Sequence, residues 1–81
     1  MTYKAWRYRD EFTDFMRLHR TINGLSTKML GEKLGRSQSA VQQWEQGRSS
    51  PNLINIKKLS EVFNVPIIEI IELLIKRLKD V

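Results

Sequence analysis

The stretch from Thr27 to Trp44, T-K-M-L-G-E-K-L-G-R-S-Q-S-A-V-Q-Q-W, constrains the fold of this chain more than any other. Leu30 and Leu34 lie four apart and share one face of a helix; Val41 and Trp44 lie three apart and share one face of a second. Gly31 falls inside the first helix, where glycine costs about 1 kcal/mol relative to alanine. A chain tolerates that cost where another helix must approach its backbone closely. Gly35 follows the last apolar residue of the first helix, where a left-handed residue ends a helix without steric penalty. Ser37 stands at the N-cap of the second, with a hydroxyl able to accept a hydrogen bond from a free backbone N–H. A small residue, a glycine turn, a cap and two apolar anchors describe a helix-turn-helix over residues 27–46.

The outward face of the second helix carries the chemistry. At about 100° per residue, Ala40, Val41 and Trp44 cluster inward. Ser39, Gln42, Gln43 and Gln46 cluster outward, and Gln38 stands at the helix start. A glutamine amide can pair with both N6 and N7 of adenine in the major groove. Polar residues of this kind are also ordinary helix surface. Their place on the second helix of a helix-turn-helix turns the reading toward DNA.

Composition agrees with that reading without demanding it. The 81 residues carry a formal net charge of +5, which suits a polyanionic partner, and the positive excess is spread along the whole chain. Their number predicts one domain, 1–81, with a helical core and no room for a second, sensing domain. The absence of cysteine excludes disulfides, thiolate metal sites and thiol nucleophiles. No signal peptide and no 18-residue apolar run is present, so a cytoplasmic location is expected.

The flanking segments read as three more helices. Residues 1–8 mix aromatic and basic side chains, either as an arm that reaches phosphates or as a first helical turn docked on the core edge. From about Arg9 to Asn23, Phe12, Phe15, Met16, His19 and Ile22 fall on one face, with Gly24 as terminator and Leu25 folding back. His19 on that stripe reads as a core histidine, because no metal-binding partners stand near it in sequence. Gly47 and Pro51 close the recognition helix, and Asn52 caps a helix to Phe63 whose inner face is Leu53, Ile56, Leu59, Ser60 and Phe63. Arg48, Ser49 and Ser50 form a short loop of donors suited to a phosphate backbone, or a plain solvated loop. The last helix, about 67–79, has a stripe of Ile67, Ile70, Ile71, Leu73, Leu74 and Leu78 flanked by Ile68 and Ile75. That arc of roughly 220° exceeds the roughly 100° that one core needs. A symmetric partner helix, through Ile68, Ile71, Ile75 and Leu78, is the expected second surface. A membrane-lying helix is disfavoured by too few cations.

Taken together, R-T-I-N-G-L-S-T-K-M-L-G-E-K-L-G at 20–35 and S-Q-S-A-V-Q-Q-W-E-Q-G-R-S-S-P-N-L at 37–53 resemble the Cro/C1-type (XRE-like) helix-turn-helix family of bacterial and phage repressors. The resemblance covers about Phe12 to Ile71 and implies an all-α, compact, five-helix, lambda-repressor-like domain with helix 3 as the recognition helix. The family's base-reading positions fall on Gln38, Ser39 and Gln43, with Gln42 as a further candidate. Its phosphate-positioning residue at the start of helix 2 falls on Thr27, where many members carry glutamine, and Lys28 is the candidate substitute for the shorter side chain. Backbone contacts fall on Gln46, Arg48, Ser49 and Ser50, and the structural ion pair of helices 1 and 3 falls on Arg20 and Glu45. Arg36 departs from the aliphatic residue common in the turn and is a candidate for phosphate contact.

The resemblance implies a sequence-specific transcriptional regulator, a repressor acting as a homodimer on an inverted repeat of double-stranded DNA. The alternative is a protein-interaction module, such as the antitoxin of a toxin–antitoxin pair, using the C-terminal helix on another protein. No cofactor or metal is expected, and no carboxylate pair, metal-ligand cluster or activated nucleophile suggests an enzyme.

Overall fold

Small polar side chains open four of the five helices. The computed structural model describes residues 9–79, among which lie α1 (Glu11–Ile22), α2 (Thr27–Leu34), α3 (Gln38–Glu45), α4 (Leu53–Phe63) and α5 (Ile67–Lys79), with no strand. Asp10, Ser26, Ser37 and Asn52 each accept from the backbone N–H three residues on. At Asp10 the cap is reciprocal: its carboxylate accepts from Thr13 N at 2.8 Å, and Thr13 Oγ1 accepts from Asp10 N at 2.9 Å. Helix α1 therefore begins two residues later than the apolar spacing predicts. The segment 1–8, read as an arm or a docked turn, lies outside the described residues.

The ends match the sequence. Gly35 (φ 70°) closes α2 in the left-handed region, and Asn64 (φ 56°) does the same for α4. Lys58 of α4 adds a cap to α2, donating from Nζ to the Leu34 carbonyl at 3.1 Å. Phe12 and Met16 of α1, Leu30 and Leu34 of α2, Val41 and Trp44 of α3, Leu59 and Phe63 of α4, and Ile70 of α5 are buried together. Leu25 folds back onto this core from the turn after α1, as expected. His19 is half-buried between Phe15 and Phe63, with ring centroids 4.3 and 5.6 Å away.

Four apolar residues assigned to stripes are exposed, among them Ile67, the first residue of α5. Ile22 ends α1 where the chain has already turned away, and it stays 67% exposed while Leu25 covers the core. Leu53 is the first residue of α4, so its side chain leans back toward the N-terminus and past the core, and it is also 67% exposed. Leu78 is 73% exposed, because the buried line of α5 runs through Ile70 and on to Arg77 one residue before it. Thr13 and Asn55, buried polar residues, take core-edge positions by completing caps.

The approach to Gly31 differs in kind from the expectation. A Cβ there would sit 2.7 Å from the Arg36 carbonyl oxygen and 3.1 Å from that of Ser37. The turn between α2 and α3 packs on Gly31, and Arg36 N donates back to the Gly31 carbonyl at 2.8 Å. The glycine thus fixes how tightly the motif folds on itself.

Candidate nucleic-acid interface

Because Val41 and Trp44 bury one side of α3, the opposite side is left to solvent. Gln38, Ser39, Gln42 and Gln43 are all exposed, and Gln46 is half-buried at the helix end. Gln38 has a partner on α2: its Nε2 donates to Thr27 Oγ1 at 2.9 Å. The first residue of α2 and the first of α3 are thereby joined at one edge of the outward face. Using one amide hydrogen on Thr27 leaves the second hydrogen and the carbonyl oxygen of Gln38 available. Thr27 Oγ1 accepts that bond, so its own proton remains to donate. Lys28 is exposed beside it. Arg36 lies with its guanidinium carbon 5.7 Å from the centroid of the buried Trp44 ring, a packing contact within cation–π range.

The base of α3 is anchored by a fork. Arg20 donates from Nε and Nη2 to the two Glu45 oxygens at 2.6 and 3.1 Å, and from Nη1 to the Leu25 carbonyl at 2.9 Å. Glu45 is 5% exposed, and Arg17 adds Nη2 to its backbone carbonyl at 3.2 Å. Removing one partner of so buried a pair would leave an uncompensated charge, at a cost on the order of 3 kcal/mol.

After α3 the chain turns through Gly47, whose N–H donates to Trp44 O, while Arg48 N donates to Gln43 O at 2.9 Å. Arg48 is exposed, Ser50 is exposed and Ser49 is half-buried. A residue from the far end of the chain holds this segment. Arg77 of α5, 7% exposed, donates from Nη1 to the Ser49 carbonyl at 3.1 Å and to Ser50 Oγ at 2.9 Å. Its Nε and Nη2 reach the Asp10 carboxylate at 2.6 and 3.2 Å, and its guanidinium carbon lies 4.9 Å from the Phe12 ring centroid. Burial alone would raise the Asp10 pKa. The Arg77 hydrogen bonds, the Thr13 N–H and the guanidinium charge outweigh it and hold the carboxyl below its usual value.

Sequence reasoning missed Arg77 and Asp10. A signal existed: Arg77 lies seven residues after the fully buried Ile70, hence on the same helix face. Of the four residues proposed for an interface between copies, Ile68, Ile75 and Leu78 are exposed, and Ile71 is half-buried against the core. Among the described residues no group of three or more His, Cys, Asp or Glu could hold a metal, and no helix is long and apolar enough to cross a membrane.

A helix-turn-helix family model matches residues 16–70. The chain is 34% identical over 61 residues to the HTH-type transcriptional activator BcrR of Enterococcus faecalis, covering 75% of this chain and 30% of that protein. It is 35% identical over 52 residues to an uncharacterized HTH-type transcriptional regulator of Sinorhizobium medicae, covering 64% of this chain and 37% of that one. The chain thus spans about a third of the length of these relatives. Among solved structures, the P22 c2 repressor in complex with a synthetic operator superposes with a TM-score of 0.66 at 27% identity, covering 69% of this chain and 85% of that one. The restriction-modification controller protein C.AhdI of Aeromonas hydrophila gives a TM-score of 0.66 at 32% identity, covering 73% and 89%. With the motif, the five-helix architecture and these likenesses in agreement, the chain belongs to the Cro/C1-type (XRE-like) helix-turn-helix family.

Proposed function

We propose that this chain is a sequence-specific regulator of transcription that inserts α3 into the major groove of double-stranded DNA. The observation that carries the reading is the exposed amide face of α3, with Gln38 held by Thr27. Held so, Gln38 can offer an N–H to N7 and its oxygen to the N6 amino group of an adenine without first losing rotamer freedom. Thr27 can spend its remaining proton on a phosphate oxygen, so one short relay joins backbone positioning to base reading. Gln43, Gln42 and Ser39 extend the reading along the groove. Lys28, Arg36, Gln46, Arg48, Ser49 and Ser50 supply backbone contacts on either side.

The functional unit in this reading is a homodimer. Ile68, Ile75 and Leu78 leave an apolar strip on α5 that a second copy of α5 would cover. Two copies related by a two-fold axis present their α3 helices about 34 Å apart, to successive major grooves of an inverted repeat. Occupying such a site within a promoter represses by occlusion.

A second reading, in which α5 serves a different protein, draws on a groove of about 480 Å³ between α1 and α5. Phe15, Leu18 and Leu73 line it with apolar surface and Glu69 and Glu72 add carboxylates, while Glu11 is paired with Lys76 of the same lining and Asp14 with Arg9. That lining suits a basic amphipathic segment of a partner protein.

Selection of bound sites from random duplex DNA at fixed physiological salt tests the first reading. An inverted repeat with half-sites one helical turn apart and A·T pairs at the read positions is the expected product. Recovery of nothing above non-specific binding would sink it and favour the partner-protein reading.

A further inference from the structure

We propose that Arg77 is a positioning residue for DNA binding: through it, α5 sets the placement of the backbone-contacting segment Arg48–Ser50. The inference rests on the reading that this segment meets phosphate. Its basis is the way one guanidinium divides its donors. Nε and Nη2 are fixed on Asp10, the cap of α1, and Nη1 is fixed on the Ser49 carbonyl and Ser50 Oγ. The guanidinium carbon lies over the Phe12 ring, 4.9 Å from its centroid. Both ion-pair side chains are under a tenth exposed, so water competes little for these bonds.

The near end of the segment is tied to α3 by Arg48 N on the Gln43 carbonyl, and its far end needs such a holder. The segment follows the left-handed turn at Gly47 (φ 75°), and Pro51, buried, has no N–H to tie its far end into a helix. Arg77 joins it to the start of α1, whose carboxylate is itself fixed by Thr13. A lysine cannot reproduce this. Its ammonium is a point donor on a flexible stem, and it lacks the planar fork that serves a carboxylate on one edge and a loop on the other. Arg77→Lys keeps the net charge, so any change in salt dependence it causes reports where Arg48 sits and not how many cations the protein has.

The test is a double-mutant cycle on the full chain, read as affinity for a random-sequence duplex across a salt series. Arg48→Ala alone is expected to weaken binding to any duplex and flatten the plot of log K against log salt by about one unit. Arg77→Lys alone should weaken the same binding while leaving the preference for the selected site intact. Combined, the two effects should fall short of their product by about threefold or more, because a displaced Arg48 has less left to lose. If Arg48→Ala is effective but the two changes multiply, Arg77 does not position the segment and the inference fails alone. If Arg48→Ala changes nothing on any duplex, the segment does not meet phosphate and both ideas fall. The cycle is repeated with Asp10→Asn, which keeps a good N-cap but removes the carboxylate that anchors the fork. Amide exchange in the free protein supplies a readout that general destabilisation would not give. Exchange at Arg48, whose N–H donates to the Gln43 carbonyl, should quicken in Arg77→Lys and Asp10→Asn with Gln42 and Gln43 unchanged. Unaltered exchange at Arg48, or equal quickening at all three positions, would overturn the proposal.

Discussion

Asp10 shows how much one side chain can hold. It caps α1 and receives the Arg77 fork, and its side chain is under a tenth exposed. Its carboxyl is held below its usual value, so the folded state binds that proton less readily than the unfolded chain does. Stability from this group is fully present above about pH 4, the ordinary aspartate range, and is lost as pH falls through the depressed folded value. Melting temperature followed on acidification should therefore drop below about pH 4, and Asp10→Asn should flatten that limb. Gly31→Ala is a second residue-scale prediction. The new Cβ would meet the Arg36 carbonyl at 2.7 Å, so the turn must move, at a cost of about 1–3 kcal/mol. In a domain of this size each kcal/mol lowers the melting temperature by about 4–8 °C, which calorimetry would detect. A melting temperature unchanged from wild type would mean that the turn has slack. Gly35 and the serine and asparagine caps were legible in the sequence because their chemistry acts within a few residues, whereas at Gly31 the close approach was legible but not that the turn makes it. The Asp10–Arg77 pair was not, since it joins positions 67 apart that only the packing of α5 on α1 brings together.

Helices were legible where burial follows a clean period and less so at their ends. The inner faces of α2 and α3 are as the spacing predicts, whereas Ile22 and Leu53, at the last and first positions of their helices, escape burial. On α3 the division of labour gives a direct prediction. Gln38→Ala or Gln43→Ala should cost about 1–3 kcal/mol on the selected site and relax discrimination at one position, with little change on random duplex. If both variants keep full discrimination in a competition assay, α3 is not the reading element. For α5, the excess apolar arc resolves into a buried line ending at Arg77 and an exposed strip of Ile68, Ile75 and Leu78. Ile68→Lys or Ile75→Lys should halve the sedimenting mass of a dimer while helicity stays near wild type. A mass that does not respond removes α5 from the interface.

The molecule as a whole sorts its polar chemistry by location. Amides and hydroxyls gather on the outward side of α2 and α3, carboxylates gather along the α1–α5 groove, and two arginine forks tie the ends of the core elements together. Family membership was legible from residues 20–53, because that stretch carries caps, turn and anchors in one run. The arginine–glutamate fork followed from the resemblance, while the second fork, through Arg77, had no motif to announce it. One further consequence comes from the seating of α3. Its angle is fixed from beneath by Gly31, Trp44 and the Arg20–Glu45 fork, and none of these lies among the exposed side chains Gln38, Ser39, Gln42 and Gln43. Apart from the Gln38–Thr27 bond, scaffold and lettering are therefore separable, as type is from the press that holds it. In the proposed reading, the four characters can be rewritten for a new operator while the seating of α3 stays where it was, and a designer who transplants another relative's four residues is working along the same seam.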